Sequence, residues 1–435
     1  RLIIFGLNNL MLQPYKKLTL KNGLRVVLVP QGASLTTTVL VLVGTGSKYE
    51  KKEINGISHF LEHLCFKGTT SRPTALKITS ELDGLGAEYN AFTGEEYTGY
   101  HAKAQSKKTE KILDIISDLY LNPIFPAEEI EKEKGVIIEE LNMYEDLPMR
   151  KVQEVFTELL YGDQPAGWPI GGKKEIIRAI TREQIIRYRS EHYVGSATIV
   201  VVAGNFDEEK VSEQIKNTFG NISVSGKLGK IKTEDKQSEP ALKIQFKESD
   251  QSHLVLGFRA YDLFDERRYV LSVLADILGG SMSSRLFQRV RDQMGAAYYV
   301  RAQNEAHTDH GYLAISAGVD HAKLHSVIEA VLDECKKIAG EGVTPEELRK
   351  AKDHLTGGIL LGLETSDELA MYYGGQEVLT ERMIAPEELM KKIEAVSSEA
   401  ILETASNVIK NGKLNLALIG PFKEKGDIAK LLKLS

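Results

Sequence analysis

The chain repeats itself once, and this repeat limits the possible folds more than any other feature. Thr181-Arg182-Glu183-Gln184-Ile185-Ile186 corresponds to Ser397-Ser398-Glu399-Ala400-Ile401-Leu402, 216 positions later. Gly204-Asn205-Phe206 corresponds to Gly420-Pro421-Phe422 at the same offset. Each copy runs from a helix into an apolar strand, Ala197 to Ala203 and Leu414 to Ile419, and then into a Gly-x-Phe turn. Upstream, the strand Val39 to Val43 pairs less strictly with Leu254 to Phe258. Helical segments such as 107–121, 150–161 and 322–338 are interspersed with the strands. At 435 residues the chain is too long for one typical domain. The reading is two α+β domains of like fold, at 15–222 and 241–435. A polar stretch rich in Lys, Gly and Ser joins them as a linker at 223–240.

Composition excludes several classes. The hydrophobic share of 42% and charged share of 27% are those of a globular protein. A net charge of −6 gives no reason to expect nucleic-acid binding and tilts weakly toward basic peptides. No apolar run is long enough to span a bilayer, so no membrane association is expected. Cys65 and Cys335 are too few for a disulfide framework and suit a reducing compartment; a cytoplasmic location is expected. Residues 1–14 form a tail without assigned function. Their apolar run Leu2 to Leu7 is short and has no small-residue cleavage site after it, so a signal peptide is not expected. The tail begins with Arg1 rather than Met and lacks acidic residues, which suggests trimming or an upstream read-in and leaves room for a transit remnant.

The run Gly56-Ile57-Ser58-His59-Phe60-Leu61-Glu62-His63 carries chemistry. On a helix turning about 100° per residue, His59, Glu62 and His63 fall within an arc of roughly 100°. One face then offers two imidazoles to grip a metal and one carboxylate to take a proton from water. The order H-x-x-E-H reverses the better-known H-E-x-x-H. Ile57, Phe60, Leu61 and Leu64 form an apolar face, so the polar trio lies at the edge of buried surface rather than on a solvated helix. Cys65 points about 200° away from His63 and reads as a buried hydrophobe-like thiol.

Two histidines leave a catalytic zinc site one protein ligand short. Candidates lie in the acidic run from Glu128 to Leu141, where Pro126 and the carboxylates after it suit a helix start. Glu133 and Glu140, seven apart, share a face. Taken alone, such a run is most often a solvated helix face.

At this point the chain resembles the pitrilysin-type inverzincin metallopeptidases, the family of the mitochondrial processing peptidase and insulin-degrading enzyme. The segment from His59 to Thr69 reads like that family almost throughout. The resemblance implies a glutamate ligand 77 residues after the second histidine, which selects Glu140 over Glu139, and a supporting glutamate at Glu133. It also implies that Asn90, Ala91 and Phe92, in an aromatic and β-branched segment, form an edge strand to which a substrate peptide adds. Arg291 and Tyr298 match the family's R-x6-Y element, which reaches the substrate and its carbonyl. Ala296 stands where the family usually has leucine, and both polar positions are intact.

The expectation is therefore a zinc-dependent endopeptidase that cleaves extended peptides or unfolded segments, with one Zn2+ per chain. His59, His63 and Glu140 hold the metal, and Glu62 acts as the base. The resemblance further implies two domains, each a mostly antiparallel sheet packed with helices, that form half of a clam-shell chamber. Closure would need a partner whose Arg291 and Tyr298 reach across. A homodimer is expected because this chain carries both halves of the machinery. The rival reading is a non-catalytic structural or peptide-binding relative, which would be expected to have lost ligands.

Other histidines read as structural. His321 and His325 have ligand spacing but no carboxylate between them, and read as an exposed helical start. His307 and His310 read as a hairpin loop. His101, His192, His253 and His354 stand alone. Trp168 reads as packing, with substrate anchoring as the alternative.

Overall fold

The computed structural model describes residues 15–424 and 426–434. The tail 1–14 lies outside the described residues. Six strands make the first sheet: β1 (Lys16–Thr19), β2 (Arg25–Pro30), β3 (Thr36–Val43), β4 (Glu88–Thr93), β5 (Thr98–Gln105) and β6 (Thr198–Gly204), in the order β1-β2-β6-β3-β5-β4. Five make the second: β7 (Ala241–Phe246), β8 (Ser252–Ala260), β9 (Ala297–Ala306), β10 (Gly311–Val319) and β11 (Leu414–Gly420), in the order β7-β11-β8-β10-β9. Apart from β1 the two orders are the same. Each sheet has one parallel pair, β2 with β6 and β7 with β11, and is otherwise antiparallel. The fold is α+β with two like sheets.

The 216-residue offset runs through the structure. It relates β2 to β7 and β6 to β11 from end to end. It also relates helix Arg182–His192 to helix Ser398–Val408. Each of these helices opens on a hydroxyl cap: Thr181 accepts from the Gln184 amide and Ser397 from the Ala400 amide. The looser upstream pairing is met at an offset of 215: Val39 lies beside Val202 as Leu254 lies beside Leu418, and Val43 beside Thr198 as Phe258 beside Leu414.

The central strands β3, β6, β8, β10 and β11 are buried on both faces, so they read as unbroken apolar runs. In β3, Val39, Val41 and Val43 face a core shared with helices Ile57–Cys65 and Thr109–Leu121. Leu40 and Leu42 face the other way, onto Leu369, Ala370 and Tyr373 of helix Ser366–Thr380, which comes from the second half of the chain. Gly374 lets that helix sit close, because a Cβ there would lie 2.8 Å from a Leu42 methyl. The converse holds across the molecule. Val152, Val155 and Phe156 of helix Pro148–Tyr161 cover Val255, Ala314 and Ala417 of the second sheet. Each half thus covers the other's outer sheet face, an exchange that the expected division at 223–240 does not contain.

Residues 223–240 have no helix or strand, yet they are pinned. The Thr233 amide donates to Asp309, and Asp235 pairs with Arg259. Lys230 joins a buried cluster that ties the halves together. There Lys48, 1% exposed, meets Glu96 at 3.2 Å, Asp309 at 2.8 Å and His310 Nε2 at 2.9 Å. Among the described residues no helix is long and apolar enough to cross a membrane.

Candidate metal centre

Helix Ile57–Cys65 buries Ile57, Phe60, Leu61, Leu64 and Cys65 in the first core and leaves His59, Glu62 and His63 half-buried. Its start is unusual. Gly56 has φ +97°, and a Cβ there would lie 2.7 Å from the Gly171 carbonyl oxygen, so no side chain caps the helix from this position. Glu50 caps it from outside instead. One carboxylate oxygen accepts from the Gly56 amide at 2.7 Å and from Asn55 at 2.9 Å, the other from the Ser58 amide at 2.8 Å. A carboxylate suits the positive end of a helix. Burial still outweighs these donors and pushes Glu50 up to about 7.

Helix Ala127–Glu145 supplies the third group. Ile130, Glu133 and Ile137 are its buried face, and Glu140 continues that face. Glu139 is exposed and pairs with Asn142 instead. His59 Nε2 and His63 Nε2 lie 3.3 Å apart, and Glu140 Oε2 lies 3.6 Å from the first and 3.5 Å from the second. These sides match the ligand–ligand separations, about 3.3–3.6 Å, of a tetrahedral ion with bonds of about 2.0–2.2 Å. Two imidazoles and a carboxylate are also a donor set that zinc accepts. The residues fit the metal.

The surroundings favour that fit. His63 Nδ1 meets Glu133 Oε2 at 3.1 Å, and Lys67 holds the other Glu133 oxygen at 2.6 Å. A carboxylate behind a ligating imidazole fixes its tautomer. Burial, then the nearby His63, lowers His59 to about 4, so its imidazole is neutral at neutral pH. Among the described residues His59 Nδ1 is buried without a hydrogen-bond partner. Burial works to lower His63 as well, but the Glu133 hydrogen bond and the nearby carboxylates outweigh it and the net shift is upward.

Glu62 faces the same cleft, a cavity of about 440 Å³ that His59, Glu62, Phe92, Thr93 and Glu140 help to line. Burial raises its pKa, opposed by a 2.5 Å hydrogen bond from the Thr93 hydroxyl. Thr93 ends β4, which among the described residues pairs only with β5 and has a free outer edge. Phe92 and Thr93 reach the cleft; Asn90 and Ala91 lie farther along that edge, with Asn90 exposed.

Arg291 and Tyr298 are elsewhere. The Arg291 guanidinium stands 4.9 Å over the Phe287 ring, and Tyr298 is 68% exposed on β9, an edge strand of the second sheet. Neither lines the cleft of its own chain. Trp168 does, in keeping with substrate anchoring, the alternative that its sequence context leaves beside packing. His321 does start a helical turn, His321–Lys323, and His325 is exposed, but His321 is half-buried: Nδ1 meets the Ser252 hydroxyl at 2.8 Å and Nε2 the Ser249 carbonyl at 2.7 Å.

A second group, Glu95, His307 and His310, also has ligand atoms close together. The cation there is Lys48, whose ammonium donates to His310 Nε2, while His310 Nδ1 meets the Tyr161 hydroxyl at 2.8 Å. A divalent ion would have to displace that charge. Sequence reading missed Glu50, Tyr144 and Arg150. Tyr144 is findable, being one turn beyond Glu140, whereas Glu50 lies in a loop with no spacing signal.

Residues 25–174 match the family model described as insulinase (peptidase family M16), and residues 179–355 match that of the peptidase M16 inactive domain. The uncharacterized zinc protease YmxG of Bacillus subtilis strain 168 is 34% identical over 406 residues, covering 93% of this chain and 98% of its own. An uncharacterized zinc protease of Rickettsia felis is 34% identical over 408 residues, covering 94% and 98%. In fold, a protease from Helicobacter pylori superposes with a TM-score of 0.86 at 23% identity, covering 94% of this chain and all of its own. A putative M16-like peptidase from Alicyclobacillus acidocaldarius gives 0.83 at 21% identity, covering 94% and 98%.

Proposed function

The chain belongs to the insulinase family, peptidase family M16, in its short two-domain form, and from that premise we propose that it is a zinc-dependent endopeptidase acting on extended peptides. The observation that carries the reading is the triangle of His59 Nε2, His63 Nε2 and Glu140 Oε2, with sides of 3.3 to 3.6 Å. The names of its relatives, zinc proteases, support the choice of metal. When bound, zinc supplies Lewis acidity, polarising a scissile carbonyl and making water nucleophilic near neutral pH.

The chain's own groups do the rest. His59 is held neutral by burial and keeps a lone pair for coordination. Glu133 orients His63 through Nδ1. Glu62 takes the proton of the attacking water; Thr93 engages its Oε2, so the transfer falls to Oε1. The same oxygen then delivers the proton to the leaving amine. Asn90, Ala91 and Phe92 give an extended peptide a free strand edge ending beside Glu62. Arg291 and Tyr298 do not line their own chain's cleft, which supports a second copy as the source of the groups that steady the carbonyl, in a dimeric chamber. The Glu62→Gln variant tests the reading. It is expected to bind zinc as the wild type does and to lose about 10²- to 10⁴-fold in turnover of unfolded peptides. Near-normal cleavage would remove Glu62 as the base.

A further inference from the structure

The two oxygens of Glu140 are held differently. Oε2 faces both imidazoles, at 3.6 and 3.5 Å. Oε1 accepts a 2.5 Å hydrogen bond from the hydroxyl of Tyr144, one helical turn later. The phenol ring is covered in turn by the guanidinium of Arg150, 3.6 Å from the ring centroid. Arg150 comes from the adjoining helix Pro148–Tyr161, so a second element braces the phenol that holds the carboxylate.

The arrangement has a chemical consequence. A glutamate side chain turns freely about its terminal torsion and can offer a cation one oxygen or both. A phenol bound to one oxygen of an ionised carboxylate fixes that torsion, and hydrogen bonds to charged acceptors are the strong ones. The cation above the ring restrains the phenol. We infer that Tyr144 is a positioning residue for the metal: its hydroxyl holds Oε1 of Glu140 aside so that Oε2 alone points at His59 and His63, and Arg150 fixes the phenol by stacking on it. The inference rests on the metal reading above and adds how its third ligand is oriented.

Tyr144→Phe removes the hydroxyl and keeps the ring beneath Arg150. Metal-free wild type and variant, as full chains, are titrated with zinc against a chromophoric chelator, and their metal-free urea midpoints are compared. The expected result is a zinc dissociation constant about 10- to 100-fold higher for the variant, with the two midpoints equal. Cobalt substituted for zinc should also give a weaker visible band in the variant, as the second oxygen joins the coordination shell. Wild-type zinc affinity and cobalt spectrum in Tyr144→Phe would overturn the inference, and so would a loss of affinity matched by a lower metal-free midpoint. If the wild type takes up no zinc, this inference and the metal reading fall together; if it does and the variant equals it, only the role of Tyr144 falls.

Discussion

A half-buried and a buried carboxylate, Glu62 and Glu50, belong to or cap the same short helix, and burial raises both. Glu62 lies on its polar face toward the cleft, where a raised pKa suits the base proposed above. Glu50 lies at its start and holds the Gly56 and Ser58 amides, which fixes where His59 begins its turn. Burial puts Glu50 at about 7 in the folded protein against an ordinary 4.5. Folding therefore takes up a proton between those values. The stability from this group is fully present below the ordinary value and is lost as pH rises through the folded one, with a slope of up to about 1.4 kcal/mol per pH unit. Urea midpoints of the metal-free protein, taken between about pH 5 and 7, should fall more steeply for wild type than for Glu50→Gln. Parallel slopes would mean that the carboxylate is ionised throughout.

At the scale of elements, the exchanged helices bind the halves into one object. Phe156 is 1% exposed and packs a helix of the first half onto the second sheet. Phe156→Ala should cost about 3–5 kcal/mol in urea denaturation, with the loss felt by both halves in one transition. A variant that melts the second half alone, ahead of the first, would contradict the exchange. The repeat was legible because a helix, a strand and a turn recur at one spacing, and H-x-x-E-H was legible because helical geometry gathers its three side chains on one face. The crossing of helices Pro148–Tyr161 and Ser366–Thr380 was not. Their apolar stripes call for a sheet without saying which, and contacts of high sequence separation leave no local period. Glu140 was picked from an acidic run by resemblance; in the structure the buried face Ile130, Glu133 and Ile137 is what separates it from Glu139. The hairpin at His307 and His310 was legible as a turn, but not its burial against Lys48, which is set by the other half of the chain.

For the whole molecule, we propose that each first half carries a complete base and ligand set and that Arg291 and Tyr298 serve the partner's site. Glu62→Gln and Arg291→Ala proteins should each be inactive alone and recover about a quarter of wild-type activity when equal amounts exchange subunits, because each mixed dimer then has one intact site. Mixtures no more active than their components would place Arg291 outside the partner's chemistry. The claim beneath all of this is that one cation sits among three side chains drawn from two helices. Anomalous X-ray scattering from crystals of the zinc-loaded protein, collected on either side of the zinc absorption edge, tests it most directly. The account predicts one strong peak per chain within bonding distance of His59 Nε2, His63 Nε2 and Glu140 Oε2; a peak at Glu95, His307 and His310 with none at the trio, or no peak at all, would contradict it.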